Sequence, residues 1–300
     1  MHAMHRTMEP SKRDKMVSSD GVLVEYLFVD NGKKSTIAPV NGWGATFDYW
    51  INQTRIRDYN LLFHNGPGMG ESELGSGEYL HHCARSLREL CLKLGITEVD
   101  VVGHSMGGLV ATLFFNEYKD GIEVKTMTLV SSIAGDPIRT FPYRKLLIVN
   151  PDKIAASLAD GVLGDLAAII ERSRLTERAA YVMARAIGIK LDERSFSKLY
   201  HNYLRDSSRK AIMTAFRAMR EDGETIGESM SRIDAPTLVT GSKNDVLVCP
   251  EAAIRIHERI GGSRIHIFED GNHAPMFQKP REFNRLLLDF LAQHHANGVG

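Results

Sequence analysis

The sequence predicts an α/β fold, a doubly wound and mostly parallel sheet covered by helices. Short runs rich in β-branched residues alternate along the chain with longer stretches of helical periodicity. The later strand-like runs, such as VDVVGHS at 99–105 and VKTMTLVSS at 124–132, are apolar on successive residues rather than on alternate ones. That pattern is typical of strands buried on both faces, as in a parallel sheet between helical layers.

Seven segments are predicted to be strands: 22–30, 35–41, 59–65, 99–105, 124–132, 235–242 and 263–270. DNGKKST, between the first two, is predicted to form a hairpin turn, because Asn-Gly accepts the positive φ angles that such turns require. The clearest helices are 80–94, with apolar residues at i, i+3, i+4 and i+7 before a glycine, and 280–295, which opens with proline.

Residues 134–232 show helical patterns and no convincing strand. Almost a hundred residues between two strands exceed what a crossover needs, so we predict a helical cap at 134–232. It would be inserted into a core domain made of 17–133 and 233–295; a separate helical domain is the alternative. The polar ends, 1–16 and 296–300, are expected to be flexible.

Composition excludes several classes of function. Lys plus Arg equals Asp plus Glu at 37 each, which gives no reason to expect nucleic acid or an anionic membrane as a partner. Residues 1–21 lack the apolar core of a signal peptide, and no run approaches the length of a transmembrane helix, so a cytoplasmic location is expected. The cysteines are expected to be reduced and mostly buried, with no zinc-site spacing; they are Cys83, Cys91 and Cys249. We therefore expect neither a cofactor nor a metal.

The segment VVGHSMGG at 101–108 carries the main functional motif, Gly103-x-Ser105-x-Gly107. It follows a predicted strand and precedes the helical GLVATLFFNEY, the context in which this motif displays a reactive serine on a sharp turn. Glycines suit the flanking positions, where side chains would collide with neighbouring elements. A serine hydroxyl is a poor nucleophile at neutral pH, so it needs a histidine as base and a carboxylate to orient that histidine.

From about Val22 to Leu291 the chain resembles the α/β-hydrolase superfamily, most strongly outside the helical insertion. The resemblance implies an acid after a late strand and a histidine between the last strand and the final helix. Asp245 in PTLVTGSKNDVLVCP and His273 in IHIFEDGNHAP stand at those positions. It therefore implies a catalytic triad of Ser105, Asp245 and His273.

The resemblance also implies an oxyanion hole built from the backbone N–H groups of Trp43 and Met106. Members of the family often carry His-Gly before the first of these residues, where this chain has Asn41-Gly42. The donor is backbone and does not depend on that side chain. The alternative interpretation of Trp43, a buried core aromatic, is compatible with this role.

Several residues compete with these assignments. Asp136, after the preceding strand, is the alternative acid. His104, beside the nucleophile, is expected to have a packing or hydrogen-bonding role. Structural roles are predicted for His257 and His266. The pair His81-His82 could bind a metal only with further ligands, and the sequence shows none.

The stretch HNGPGMGES at 64–72 suggests a phosphate cradle because three glycines alternate in it. However, Glu71 stands where a dinucleotide fingerprint needs its third glycine, and the Gly-Lys-Ser/Thr of a P-loop is absent. The stretch is therefore interpreted as a turn.

These observations favour a cofactor-independent serine hydrolase acting on a small-molecule carboxylic ester with a hydrophobic acyl or alcohol group. The same triad would also serve a thioesterase, a lactonase, a C–C bond hydrolase, or a cofactor-free perhydrolase of the haloperoxidase type. The alternative that is not an enzyme is a ligand-binding protein that has kept the fold.

Overall fold

The computed structural model describes residues 13–137, 177–178, 181–182, 193, 197, 206–245 and 247–295. Within these ranges the centre of the molecule is one sheet with the strand order β1-β2-β4-β3-β5-β6-β7-β8. The strands are β1 Arg13–Val17, β2 Leu23–Val29, β3 Thr36–Val40, β4 Asn60–His64, β5 Glu98–His104, β6 Glu123–Val130, β7 Thr237–Ser242 and β8 Arg264–Phe268. Only β2 runs against its neighbours among the described strands, so the predicted α/β class with a mostly parallel sheet is confirmed.

Helices cover both faces of this sheet. They are α1 Tyr79–Lys93, α2 Met106–Leu113, α3 Asp206–Ser229, α4 Pro250–Arg259, α5 Pro275–Gln278 and α6 Pro280–His295. A π-helical turn, Phe114–Tyr118, extends α2, and 3₁₀ turns form at Phe47–Trp50 and Met230–Arg232. No helix in the described ranges combines the length and the apolar character that crossing a bilayer requires.

The core consists of two apolar clusters, one on each side of the sheet. Successive residues of a central strand contribute to opposite clusters: Val101 belongs to the cluster under α1, α2 and α4, and Val102 to the cluster under α6. Leu129 and Val130 of the next strand divide in the same way. Burial on both faces therefore explains why these strands are apolar at consecutive positions.

The predicted hairpin between the first two strand segments is wrong. β2 pairs with β4 in antiparallel register, and β4 separates it from β3. The turn itself exists, with Gly32 at φ +68°, but its Asn31 amide donates to the carbonyls of Ile56 and Tyr59, just before β4. A local turn signal specifies a reversal of direction, whereas the pairing follows from which strand edges fit together.

The expectation that residues 1–16 are flexible is wrong for residues 13–16, which lie in β1. Met16 is the only buried residue of this strand and stands opposite Val24 of β2. Arg13 reaches the buried carboxylate of Glu25 at 3.4 Å. Because this edge strand has only one buried apolar residue, its sequence lacks the alternating pattern of a strand and predicts a polar tail instead. Residues 1–12 and 296–300 lie outside the described ranges.

Of the predicted cap at 134–232, the structure describes 134–137, 206–232 and a few isolated positions. Its longest element is α3, which lies close to the connection after β6. A Cβ on Gly227 would come within 2.5 Å of the Ala134 carbonyl oxygen, so the helix and that connection are in direct backbone contact. Near the other end of α3, Ser208 donates to the carbonyl of Gly68 at 3.1 Å.

Candidate active site

Ser105 occupies the turn between β5 and α2 with φ +55° and ψ −119°. Within the described ranges, only Ser105 and Ser131 among non-glycine residues have positive φ. The Ser105 N–H donates to the Val130 carbonyl at 2.9 Å, and its own carbonyl accepts from Gly108 at 3.0 Å. Such a conformation costs about 1–3 kcal/mol and persists only where the surroundings impose it. The turn therefore holds this serine in a strained conformation at the start of a helix.

The glycines of the motif are required by close backbone contacts. A Cβ on Gly103 would lie 2.5 Å from the Gly107 carbonyl oxygen. A Cβ on Gly107 would lie 2.4 Å from the Val40 carbonyl oxygen, and one on Gly108 would meet the Ser132 hydroxyl at 2.4 Å. The predicted steric reason for the glycines is thus confirmed at Gly103 and Gly107, and Gly108 is crowded as well.

Asp245 and His273 follow β7 and β8, and their side chains are joined. The His273 Nδ1 lies 2.9 Å from Asp245 Oδ2. The other carboxylate oxygen, Oδ1, accepts the backbone N–H groups of Leu247 and Val248 at 2.8 and 2.9 Å. The Asp245 side chain is fully buried, and the His273 side chain is 16% exposed. A carboxylate can only accept, so the proton of the neutral imidazole lies on Nδ1 and leaves Nε2 as the basic atom.

His104 connects the turn that carries Ser105 to the loop that carries His273. Its Nε2 lies 2.9 Å from the main-chain carbonyl oxygen of His273, and the two imidazole centroids are 4.8 Å apart. Burial lowers the pKa of His104 to about 3, so the ring is neutral and its Nε2–H donates to the carbonyl. The hydrogen-bonding role expected for His104 is confirmed. The residue that precedes Ser105 thus contacts the residue that carries the basic nitrogen.

The loop after β3 lies against the serine. A Cβ on Gly42 would come within 3.1 Å of the Ser105 Cβ, and the Gly42 carbonyl accepts from Ala45 at 3.1 Å in a tight turn. Asn41, at the position where the family often carries histidine, holds the start of this loop. Its amide donates to the His64 carbonyl at 2.8 Å, and its oxygen accepts from the Trp50 indole at 3.0 Å.

Trp43 follows in the same loop and is not a core residue. Its side chain is 40% exposed, and its indole N–H donates to the Ile212 carbonyl of α3 at 2.7 Å. The ring also lies 5.5 Å from that of Phe216. The alternative interpretation of Trp43 as a buried core aromatic is therefore wrong. Met106, the other predicted oxyanion donor, is the first residue of α2, where backbone N–H groups have no partner within the helix.

Asp136, the alternative acid, lies against α3. Its carboxylate is 3.5 Å from the Arg220 guanidinium, and its N–H donates to Glu224 at 3.2 Å. The carboxylate that bonds to the His273 ring belongs to Asp245.

Four further histidines make structural contacts. His257 bonds to the Ser263 hydroxyl at 2.8 Å, and His266 stacks edge-on against Phe268. His81 bonds to the Tyr118 hydroxyl and His82 to the Asp20 carboxylate, each at 2.9 Å. In the part of the chain that the structure describes, no group of three or more His, Cys, Asp or Glu side chains is arranged to hold a metal ion.

The glycine-rich stretch forms a turn around a buried carboxylate. Glu25 accepts from the Asn65 amide at 2.6 Å and from the Glu71 N–H at 2.8 Å. Gly70 has φ +57°, and a Cβ there would overlap the Asn65 side chain. An acidic group at the centre of the loop disfavours a bound phosphate, in agreement with its interpretation as a turn.

The sequence gives no indication of one buried group beside this site. His64, at the end of β4, lines a small cavity together with Gly42 and Met106. Burial lowers its pKa to about 4, and its Nδ1 has no hydrogen-bond partner among the described residues. A histidine inside a strand-like run carries no signal that distinguishes it from a packing residue.

Comparison with known proteins identifies the family of this chain. Residues 40–280 match the family model described as alpha/beta hydrolase fold. A relative from Klebsiella pneumoniae, named 2-hydroxy-6-oxononadienedioate/2-hydroxy-6-oxononatrienedioate hydrolase, is 26% identical over 270 residues, covering 87% of this chain and 88% of its own.

Solved structures with a similar fold include an esterase and a meta-cleavage product hydrolase. An esterase from Exiguobacterium antarcticum aligns with a TM-score of 0.71 at 20% identity, covering 94% of this chain and 100% of its own. A meta-cleavage product hydrolase from Pseudomonas fluorescens aligns with a TM-score of 0.71 at 16% identity, covering 93% of this chain and 97% of its own. The family match spans well over half of the sequence, and the chain belongs to the alpha/beta hydrolase fold family.

Proposed function

We propose that this protein is a serine hydrolase that cleaves a carboxylic ester through an acyl-enzyme. The observation that carries the proposal is the strained Ser105 at the start of α2, adjoining the loop whose His273 is bonded to buried Asp245. The proposed nucleophile, base and orienting acid are thus carried by adjoining segments of the chain. These are the groups that acyl transfer requires.

In the first half of the reaction, the Ser105 hydroxyl oxygen attacks the ester carbonyl while His273 Nε2 removes its proton. Asp245 stabilises the imidazolium that forms, through the bond to Nδ1. The negative charge that develops on the carbonyl oxygen is met by the backbone N–H groups of Trp43 and Met106. The intermediate then collapses: the bond to the leaving alcohol breaks, and the imidazolium returns its proton to that oxygen.

In the second half, His273 removes a proton from water, and the resulting hydroxide attacks the acyl carbon. The same N–H groups stabilise the second oxyanion. The bond to Ser105 then breaks, the serine recovers its proton from the imidazolium, and the free acid leaves.

The surroundings of Trp43 support a hydrophobic group on the substrate. Its partly exposed indole lies beside Phe216 of α3 and follows directly on the loop that contacts Ser105. An aromatic surface beside a site favours apolar groups over charged ones, since burying a charge without a partner is costly. We therefore propose esters with an apolar acyl or alcohol part.

Hydrolysis of a C–C bond is the second candidate, favoured by the comparison with the Klebsiella relative and the meta-cleavage product hydrolase. Their names give as substrate a 2-hydroxy-6-oxo dioate for the first and a meta-cleavage product for the second. The same base and oxyanion donors would serve attack on a ketone carbonyl instead of an ester carbonyl. Esters rank first because the aromatic pair Trp43 and Phe216 beside the loop at Ser105 is uncharged, whereas a dioate carries two carboxylates.

The test combines covalent labelling with substrate profiling. A fluorophosphonate probe should label the wild-type protein and fail to label Ser105→Ala. Ser131→Ala is the matched control, because Ser131 is also buried and has positive φ; it should keep full labelling. Folded wild-type protein that resists the probe and hydrolyses nothing would contradict the proposal and favour a ligand-binding protein.

Substrate class is then read from initial rates. We expect turnover of p-nitrophenyl esters to rise with acyl chain length and to exceed turnover of thioesters, lactones and 2-hydroxy-6-oxo dienoates. Faster cleavage of the dienoates would favour the C–C candidate. Peroxide-dependent bromination without ester hydrolysis would indicate a perhydrolase.

A further inference from the structure

Three segments of the candidate site meet at the imidazole of His104. The ring belongs to the last residue of β5, directly before the nucleophile. Its Nε2 bonds to the main-chain oxygen of His273 at 2.9 Å. On its other side, a Cβ on Gly42 would lie only 2.9 Å from Nδ1, so the ring touches the loop of the proposed oxyanion hole. Trp50 packs edge-on against it at 6.4 Å.

The hydrogen bond has a defined direction. A carbonyl oxygen only accepts, so the proton of the neutral ring must lie on Nε2. His104 is 4% exposed, and the nearby charged groups are the His273 imidazolium formed in the reaction and the Asp245 carboxylate. A second positive charge next to His273 would disfavour the imidazolium, so the neutral form of His104 is the one compatible with a basic His273.

We propose that His104 is a positioning residue: its Nε2–H holds the main chain of His273 and so fixes the base relative to the serine turn and to the loop at Gly42. This inference rests on the proposed serine-hydrolase function and adds to it a residue outside the triad. His104 does not touch the reacting atoms. It acts through His273, whose ring is held by Asp245 but whose backbone needs its own anchor.

The neighbouring contacts show why this anchor matters. The His273 N–H is bonded to the Asn272 side chain next to it in sequence at 2.8 Å, and Asn272 N–H bonds to Gln278 at 3.1 Å. Both contacts lie within the 272–278 segment. The bond from His104 instead ties His273 to the central strand β5, which also carries the nucleophile. A displacement of about 1 Å between base and nucleophile can lower the rate by about a hundredfold.

Three variants separate hydrogen bonding from bulk. His104→Gln keeps a donor at about the distance of Nε2, His104→Asn has the same amide on a shorter chain, and His104→Phe keeps the ring without the donor. We expect kcat on a p-nitrophenyl ester to fall by about ten- to a hundredfold in the Asn and Phe variants, with KM changed less than about threefold. The Gln variant should recover to within about fivefold of wild type.

The rate of fluorophosphonate labelling gives an independent readout, because it reports the activation of Ser105 without substrate binding. It should fall in parallel with kcat in the Asn and Phe variants and recover with Gln. A Phe variant that labels and turns over like wild type would overturn the inference. A Gln variant as impaired as Phe, with an unchanged Tm, would also overturn it, because it would assign His104 a packing role only.

A measurement on the wild-type protein covers the case in which the variants fail to fold. Long-range ¹H–¹⁵N NMR of the histidine rings should show His104 as the neutral Nε2–H form throughout the range from pH 5 to 8. A ring protonated on Nδ1, or one that titrates within this range, would overturn the inference. Failure of the proposed function is distinguishable, since wild-type protein would then neither label nor turn over.

Discussion

Asp245→Asn is the sharpest test of the acid assignment, because the two carboxylate oxygens have separate partners. Oδ1 accepts the N–H groups of Leu247 and Val248, whereas Oδ2 bonds to His273. An asparagine can keep its carbonyl oxygen at the Oδ1 position and so preserve the turn. Its NH₂ group then faces the His273 Nδ1. The substitution should therefore leave the fold nearly intact while changing the chemistry of the base.

The size of the effect follows from two losses. The charge-assisted hydrogen bond to the imidazolium, worth about 1.5–3 kcal/mol, is absent. The NH₂ group also donates to Nδ1, which moves the ring proton to Nε2 and removes the lone pair that Ser105 needs. Together we expect kcat to fall by about 10³–10⁴, which corresponds to about 4–5.5 kcal/mol of transition-state stabilisation. Because the loss concerns the transition state, KM should change little.

Asp136→Asn is the matched control. Its carboxylate is paired with Arg220 at 3.5 Å on a partly exposed surface, where such pairs contribute about 0–1 kcal/mol to stability. Ester hydrolysis by this variant should stay within about twofold of wild type. Steady-state kinetics with circular dichroism as a folding check decides the question. If Asp136→Asn loses more activity than Asp245→Asn, the acid has been assigned to the wrong residue.

Three further predictions concern the frame around the site. Gly107→Ala should lower the free energy of unfolding in urea titrations by about 3 kcal/mol or more, because its Cβ would lie 2.4 Å from a backbone oxygen. Gly261→Ala is the control and should be neutral, because a Cβ there would have no atom within 4 Å. Equal stability of the two variants would contradict the steric argument. Hydrogen bonding to Asp100 raises the pKa of His295, so the protonated ring stabilises the fold below about pH 6.5, and this stabilisation is lost as pH rises through the raised pKa. His295→Gln should therefore cost about 1 kcal/mol at pH 5.5 and clearly less at pH 9, and a pH-independent difference would refute the linkage. Trp43→Phe should keep kcat within about fivefold, because the proposed donor is its backbone N–H, and a hundredfold loss would assign the role to the indole.

The sequence predicts much of the fold because its strongest signals are local and steric. The final helix begins and ends where the periodicity and Pro280 indicate. The glycines at 103 and 107 predict a crowded turn, and the backbone atoms that a Cβ would meet at each position confirm the crowding. The order acid then histidine comes from the family resemblance, and the structure joins Asp245 and His273 at 2.9 Å. Their catalytic role remains a prediction.

Other features depend on contacts between distant segments and have no local signal. The pairing of β2 with β4 is decided by strand edges that meet only in the folded sheet. The polar strand β1 gains its structure from β2 and from Glu25. The contact of His104 with His273 joins residues 169 positions apart, so no spacing rule could reveal it.

The strand order has a consequence for biogenesis. During translation, the turn that carries Ser105 is synthesised well over a hundred residues before His273. The strands β7 and β8 are synthesised after β6. Until β7 arrives, β6 is an apolar border strand with unpaired backbone groups, the kind of surface on which nascent chains aggregate. A translation product that stops before β7 would therefore carry the serine without its base and would be a natural client for chaperones.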